Sequence, residues 1–371
     1  MMRRRLRPVI VGLAALCLSA CASVPPAAGE QNLRIVLVDV EGGTAALFVT
    51  PGGRSLLMDT GWPTGMGGPR PEPGKPAPQP LDSAARIAAA ARAAGVERID
   101  YLIVTHYHLD HVGGVADLLR AIPVGTVIDH GPNRETPPAD ADPGSLRSAP
   151  ATLFPHYLES IAGHERREMR AGDRLTVDGL ELIAIASDRE LVDAVPGAEG
   201  GAPAACEAAT EKDAIGGEEN PRSLGFFFQW GAARMLGLAD TTWNLENELV
   251  CPRNRIGPID LYLVNHHGSE LSNSPVFVNA IAPRVALMQN GPRKGGDAAV
   301  FDTLRASPRL EGLWQQHAAE RSPDRDEPAD RIANPASGED GHTLNAEVAR
   351  DGTITVTNPR NGYSQTYPGR S

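Results

Sequence analysis

Lysine is nearly absent from this chain: three residues (Lys75, Lys212, Lys294) stand against 32 arginines. A GC-rich genome produces that bias, and it carries no functional weight. Cysteine is scarce, four in 371 residues, which excludes a disulfide-dense miniprotein. Positive charge is in deficit. The formal net charge is −11, and it is −15 (31 basic against 46 acidic residues) once residues 1–20, with four arginines and no acid, are set aside. A surface this acidic repels polyanions and makes nucleic acid an improbable partner. Long apolar runs are missing too: Val9–Leu18 is ten residues, against roughly 20 needed to span a bilayer. Aromatics are few, at 5%, but 41% hydrophobic and 22% charged residues suffice for a packed core. They exclude a disordered polymer and a coiled coil. The length admits one large domain or two small ones.

The N-terminus has Arg3, Arg4, Arg5 and Arg7, then the short apolar run, then small residues. That order predicts a secretory signal over residues 1–20. Leu18-Ser19-Ala20-Cys21 resembles a bacterial lipobox, which implies cleavage before Cys21 and a lipid on its thiol. The alternative is ordinary secretion to the periplasm. Ala22 in place of Asp resembles the outer-membrane sorting pattern, so the expected location is the cell envelope, lipid-anchored and facing the periplasm. Residues 21–32 read as a tether. With Cys17 removed and Cys21 acylated, Cys206 and Cys251 remain in an oxidising compartment, where they either pair or stay buried as free thiols.

Along the rest, Leu33–Val40 and Thr44–Thr50 predict a hairpin around Gly42-Gly43, followed by a strand at Ser55–Asp59. Gly67–Pro80 reads as a loop, Ala84–Ala94 as a helix, Ile99–Thr105 as a buried strand, Val112–Ile122 as a helix and Val124–Asp129 as a strand. Leu153–Ala162 is expected helical, and Leu175–Val177 with Leu180–Ala186 form a hairpin. Residues 188–221 are acidic and rich in Gly and Ala, a surface insertion. Strands follow at Ser223–Trp230, Arg234–Ala239, Ile259–Val264 and Arg284–Gln289, with a helix at Pro275–Ile281. The order suggests an α/β, four-layer αββα sandwich over residues 33–297. Residues 298–371 read as an extension packed on it: helices at Phe301–Leu304 and Leu310–Gln316, a loop at Arg321–Gly341, and a hairpin from His342–Val348 to Thr353–Thr357.

The strand at Ile99–Thr105 ends in His106-Tyr107-His108-Leu109-Asp110-His111. Four of six residues are metal-ligand types. Alternation sets His106 and His108 on one side, with Asp110 and His111 on the turn beyond. That spacing can feed two adjacent metals, and imidazole suits zinc. This HxHxDH block resembles the signature of the metallo-β-lactamase superfamily, and the likeness runs from about residue 33 to 290. Leu57-Met58-Asp59-Thr60-Gly61 matches the early D-T-G motif, Leu238-Ala239-Asp240 ends a strand where a bridging Asp is placed, and Val264-Asn265-His266-His267-Gly268-Ser269 supplies the last histidine. The resemblance implies that His106 and His108 hold one metal, that Asp110, His111 and His267 hold a second, that Asp240 bridges them, and that Asp59 orients the site from behind. His267 aligns with the last ligand; His266 is its competitor. It implies two divalent ions, zinc first with manganese as the alternative. They would bring the pKa of a shared water toward about 7 and so supply hydroxide, with Asp110 and Asp240 as the catalytic carboxylates.

One family histidine is missing, because the middle hairpin ends Ile185-Ala186-Ser187-Asp188. His130, at a strand end, is the candidate replacement; a structural or supporting role is its alternative. That loss, with Asn220-Pro221-Arg222-Ser223-Leu224 and His266-His267-Gly268-Ser269, resembles the hydrolase domain of ComEC-type DNA-uptake proteins. The ligand set of true β-lactam hydrolases is incomplete. Asn290, Arg293 and Lys294 lie in a Gly-rich loop and are candidates for binding an anionic group. His156, His164, His317 and His342 are not assigned to the site, and Trp230, Trp243 and Trp314 read as packing. The expected function is hydrolysis of a phosphoester, or of another small ester-like substrate, in the envelope. A non-catalytic or single-metal binding protein and a nuclease are the alternatives. Nothing points to a protein partner.

Overall fold

The computed structural model describes residues 31–68, 79–137, 139–198, 201, 203–212, 218–336 and 341–369. The expectations for residues 1–20, Cys21 and most of the tether lie outside the described residues. No helix among the described residues is long and apolar enough to cross a membrane.

Strands β1 (Leu33–Leu37), β2 (Ala46–Val49), β3 (Ser55–Met58), β4 (Ile99–Ile103), β5 (Val124–Asp129) and β6 (Arg166–Glu168) begin one sheet. A second is built from β7 (Arg174–Val177), β8 (Leu180–Ser187), β9 (Glu190–Leu191), β10 (Gly225–Trp230), β11 (Ala233–Gly237), β12 (Leu261–Leu263), β13 (Val285–Met288), β14 (Gly312–His317) and β15 (Ile332–Asn334). Finally β16 (Leu344–Val348), β17 (Ile354–Asn358) and β18 (Tyr363–Tyr367) return to the first, where β16 pairs antiparallel with β1. The helices are α1 (Ser83–Ala93), α2 (Leu109–Val112), α3 (Val115–Ala121), α4 (Pro143–Leu146), α5 (Pro150–Ser160), α6 (Trp243–Val250), α7 (Pro275–Ile281) and α8 (Ala298–Arg305).

Side-chain alternation explains the layering. Along β10, Phe226, Phe228 and Trp230 face the other sheet, where Phe48 stacks on Phe228 at 4.9 Å. Phe227 faces the other way, into a core shared with α6, α7 and α8. On the first sheet, Leu57, Leu102 and Val127 face Ile87 and Ala91 of α1, Leu118 of α3 and Tyr157 of α5. Three buried cores between four layers make an αββα sandwich.

Three expectations change. Leu310–Gln316, expected helical, lies mostly in strand β14, buried along its whole length between β13 and β15. A short strand covered on both faces has no period to distinguish it from a buried helix. Arg321–Gly341 is not wholly loop, since it contains β15, and β18 was not anticipated because its YSQTY sequence is largely polar. The expected helix Val112–Ile122 begins only at Val115: a separate short helix ends at Val112, and Gly113-Gly114 divides the two, where a Cβ on Gly114 would lie 2.3 Å from the Thr60 carbonyl oxygen.

Strands β3, β4 and β5 run parallel, as do β11 through β14. Their carboxyl ends open on one crevice, the place where sheets of this kind bind ligands.

Candidate metal centre

Asp59 follows β3 with a left-handed backbone (φ 60°) and is fully buried. Its Oδ1 accepts the Thr105 amide at 2.8 Å; its Oδ2 accepts the Thr105 hydroxyl at 2.8 Å and His111 Nδ1–H at 2.7 Å. Because the Thr105 proton goes to Asp59, Thr105 Oγ1 accepts from His106 Nδ1–H at 3.1 Å. One carboxylate thereby sets the tautomer of two histidines. His267 Nδ1–H donates to the Gln289 carbonyl at 3.1 Å. All three rings then present an Nε2 lone pair to the crevice.

There they converge on carboxylates. His111 Nε2 is 3.0 Å and His267 Nε2 3.1 Å from Asp110 Oδ2, and the two nitrogens are 3.3 Å apart. Asp240 faces His111 at 3.4 Å, His267 at 3.7 Å and His106 at 3.9 Å, and its buried Oδ1 has no hydrogen-bond partner among the described residues. Asp110, His111, Asp240 and His267 form one group able to hold a metal; His106, His108 and Asp240 form another. Lone pairs gathered around buried carboxylates repel one another unless a cation joins them, so the donor set fits divalent ions. Burial opposes charge on both carboxylates; in the metal-free protein Lys294 and a protonated His111 still hold Asp110, and the protonated histidines around it Asp240, well below the usual carboxylate range. Burial and the neighbouring His111 push His106 well below the ordinary imidazole value.

The loop carrying His266 and His267 is bent by two successive left-handed residues (φ 51° and 55°). Buried Glu246 pins it, accepting from Asn265 Nδ2 at 2.7 Å and from the Asn273 and Ser274 amides at 2.8 Å each. The Gly295-Gly296 turn lies against it: Gly296 N donates to the His267 carbonyl at 3.0 Å, and any Cβ on Gly295 would strike that same oxygen.

Of the remaining candidates, Lys294 Nζ contacts Asp110 and sits 5.3 Å from the centre of the Trp62 ring. Arg293 is part-exposed, 3.7 Å from Glu320. Asn290 is not available to a substrate: it is fully buried and its amide bonds to the His317 and Gly291 carbonyls. His130 does not join the ligands. Alternation turns Tyr107 away from His106 and His108, its ring 4.7 Å from that of His130, and His130 Nε2 pairs with Glu219 at 2.9 Å. Glu219 and Asn220, from the stretch read as a surface insertion, are both buried. Cys206 and Cys251 are joined in a disulfide.

Sequence reading also missed a cluster of Asp39, Glu41 and His317. All three are buried, His317 Nε2 is 2.7 Å from Asp39, and Arg86 is 2.9 Å from the other Asp39 oxygen. Its members lie up to 278 positions apart, and no local motif announces it.

A family model described as the metallo-β-lactamase superfamily matches residues 39–287, and the chain belongs to that superfamily. Its members are usually metal-dependent hydrolases. Among solved structures the chain is similar to the metallo-β-lactamase fold protein YhfI from Bacillus subtilis, at 11% identity and TM-score 0.40, over 76% of this chain and 95% of that one. It is similar to a diphosphatase of the PhnP family, at 13% identity and TM-score 0.37, over 86% and 99%. It is also similar to CmlA, a diiron β-hydroxylase from Streptomyces venezuelae, at 16% identity and TM-score 0.34, over 70% and 45%.

Proposed function

We propose that this protein is a two-metal hydrolase of the bacterial envelope acting on a small phosphoester, in the manner of the ComEC-type branch. One observation carries the reading: Asp110, His111, Asp240 and His267 meet in one buried group, with the Nε2 lone pairs of His111 and His267 turned inward by Asp59 and Gln289. Asp110, His111, His267 and Asp240 would hold one divalent ion, and His106, His108 and Asp240 the other. When bound, such ions supply Lewis acidity and water activated at neutral pH. The residues supply the rest. Asp59 fixes ring orientation, Asp240 ties the two halves together, and Lys294 offers a cation beside Asp110 for an anionic substrate oxygen.

A phosphoester is the first choice because Lys294 lies beside Asp110, with the part-exposed Arg293 next to it in the chain. The acidic net charge disfavours a polymeric nucleic acid as substrate. The Cys206–Cys251 disulfide supports an oxidising compartment, and the lipobox-like sequence at Cys21 supports an outer-membrane lipid anchor. A second, single-metal reading draws on Ser187, which ends β8 and donates to the Met169 carbonyl instead of supplying a ligand.

The test is turnover of a panel of chromogenic phosphodiester, phosphomonoester, lactone and β-lactam substrates by zinc- and manganese-loaded protein. Phosphodiester hydrolysis abolished by chelator is the expected result; turnover confined to lactones or β-lactams overturns the substrate class.

A further inference from the structure

The half-centre of His106, His108 and Asp240 has three donors among the described residues, one fewer than a four-coordinate site uses. Neither obvious substitute supplies the fourth. Ser187 spends its hydroxyl on Met169, and His130 is engaged with Glu219 behind the Tyr107 ring.

The geometry points to His266 as the ligand that completes this half-centre, so that the tandem His266-His267 serves both metals, one ring to each. This rests on the two-metal reading above and assigns a residue within it.

Four observations support it. First, His266 is wired as the other inward-facing histidines are. Ser272 Oγ–H donates to the Thr241 carbonyl at 2.7 Å, so Ser272 accepts from His266 Nδ1–H at 3.1 Å. His266 Nε2 is left with a lone pair, as in His106, His111 and His267. Second, that nitrogen faces Asp240 Oδ2 at 3.3 Å, an oxygen it shares with His106 at 3.9 Å and His111 at 3.4 Å, whereas His267 addresses Oδ1. Two acceptors turned toward each other in a buried site call for an electrophile between them. Third, among the described residues the donor nearest to hand is weak: Asn220 Nδ2 is 3.5 Å from His266 Nε2, at the limit of a hydrogen bond, and Asn220 Oδ1 is buried without a partner among them. Fourth, both members of the tandem adopt left-handed backbone, a conformation that side-chain-bearing residues keep only where the surroundings demand it.

The test uses the full chain, stripped with a chelator and titrated with zinc against a chromophoric competitor, with elemental analysis of the loaded protein. Wild type is expected to bind two equivalents. His266→Ala should keep one at wild-type affinity and bind the second at least ~10-fold more weakly. Ser272→Ala, which removes only the support of Nδ1, should weaken the same equivalent ~10-fold or more. His108→Ala/His266→Ala should affect no further equivalent, whereas His266→Ala/His267→Ala should affect both. Two equivalents at wild-type affinity in His266→Ala overturn the assignment alone. If that variant does not fold, unchanged zinc affinity in Ser272→Ala overturns it. Fewer than two equivalents in wild type overturn the two-metal reading and this assignment together.

Discussion

The two halves of the centre share Asp240 but are built from different material. Around Asp110 there is a private carboxylate, two imidazoles whose outer nitrogens are held by Asp59 and Gln289, and Lys294 at the rim. Around His106 and His108 there are imidazoles and the shared carboxylate only. The difference lies in charge. Anionic oxygen attracts a divalent ion more strongly than neutral nitrogen does in a buried site. The Asp110 half is therefore expected to bind an ion more tightly, and the His106 half to empty first.

The largest effect should come from removing what both halves share. Asp240→Ala is expected to cost at least ~100-fold in turnover, the scale of deleting a key electrostatic group, and to lose at least one metal equivalent by elemental analysis. Two retained metals with normal turnover would break the comparison outright.

Glu246 anchors the loop that carries His266 and His267. Burial pushes its carboxyl up to about 7 from 4.5, against the pull of its three N–H donors. Between those values the folded state keeps a proton that the unfolded chain releases, so this group's contribution to stability is present below pH 4.5 and is lost as pH rises through about 7. The loss is on the order of 3 kcal/mol. Denaturant titration of metal-free protein at pH 5 and pH 7.5 should show this extra decline in wild type and not in Glu246→Gln. Equal pH dependence in the two proteins contradicts it.

Asp59→Ala sharpens the contrast, because Asp59 touches His111 directly but reaches His106 only through Thr105. Zinc affinity should fall ~10–100-fold, with the Asp110 half losing more. Chelator competition resolves the two steps, and an equal loss in both halves argues against the relay.

The site was unequally legible for physical reasons. His106, His108, Asp110 and His111 sit within six residues at a strand end, so local pattern alone announces them. Thr105, Ser272 and Glu219 act through bonds to atoms that only folding brings near, and no local motif marks them. Ligand and supporting role were both open for His130, and the contacts that favour the second, to Glu219 and the Tyr107 ring, come from distant parts of the chain. In the fold, strands with a clear turn on each side were legible. β14 was not, because Leu313 and Trp314 are buried toward opposite cores and leave no period. The count of remaining thiols named Cys206 and Cys251 as the pair available, but left open whether they are joined.

The smallest effect concerns substrate. Lys294→Met removes the cation beside Asp110 and should raise KM for an anionic phosphodiester ~10-fold, leaving a neutral lactone nearly unaffected. An equal rise for both substrates would assign Lys294 to the metal site alone.

The most direct test of the two-metal account is anomalous X-ray scattering from zinc-loaded crystals. Two peaks are expected, one amid Asp110, His111, His267 and Asp240, the other amid His106, His108, His266 and Asp240. A single peak at full zinc saturation contradicts it.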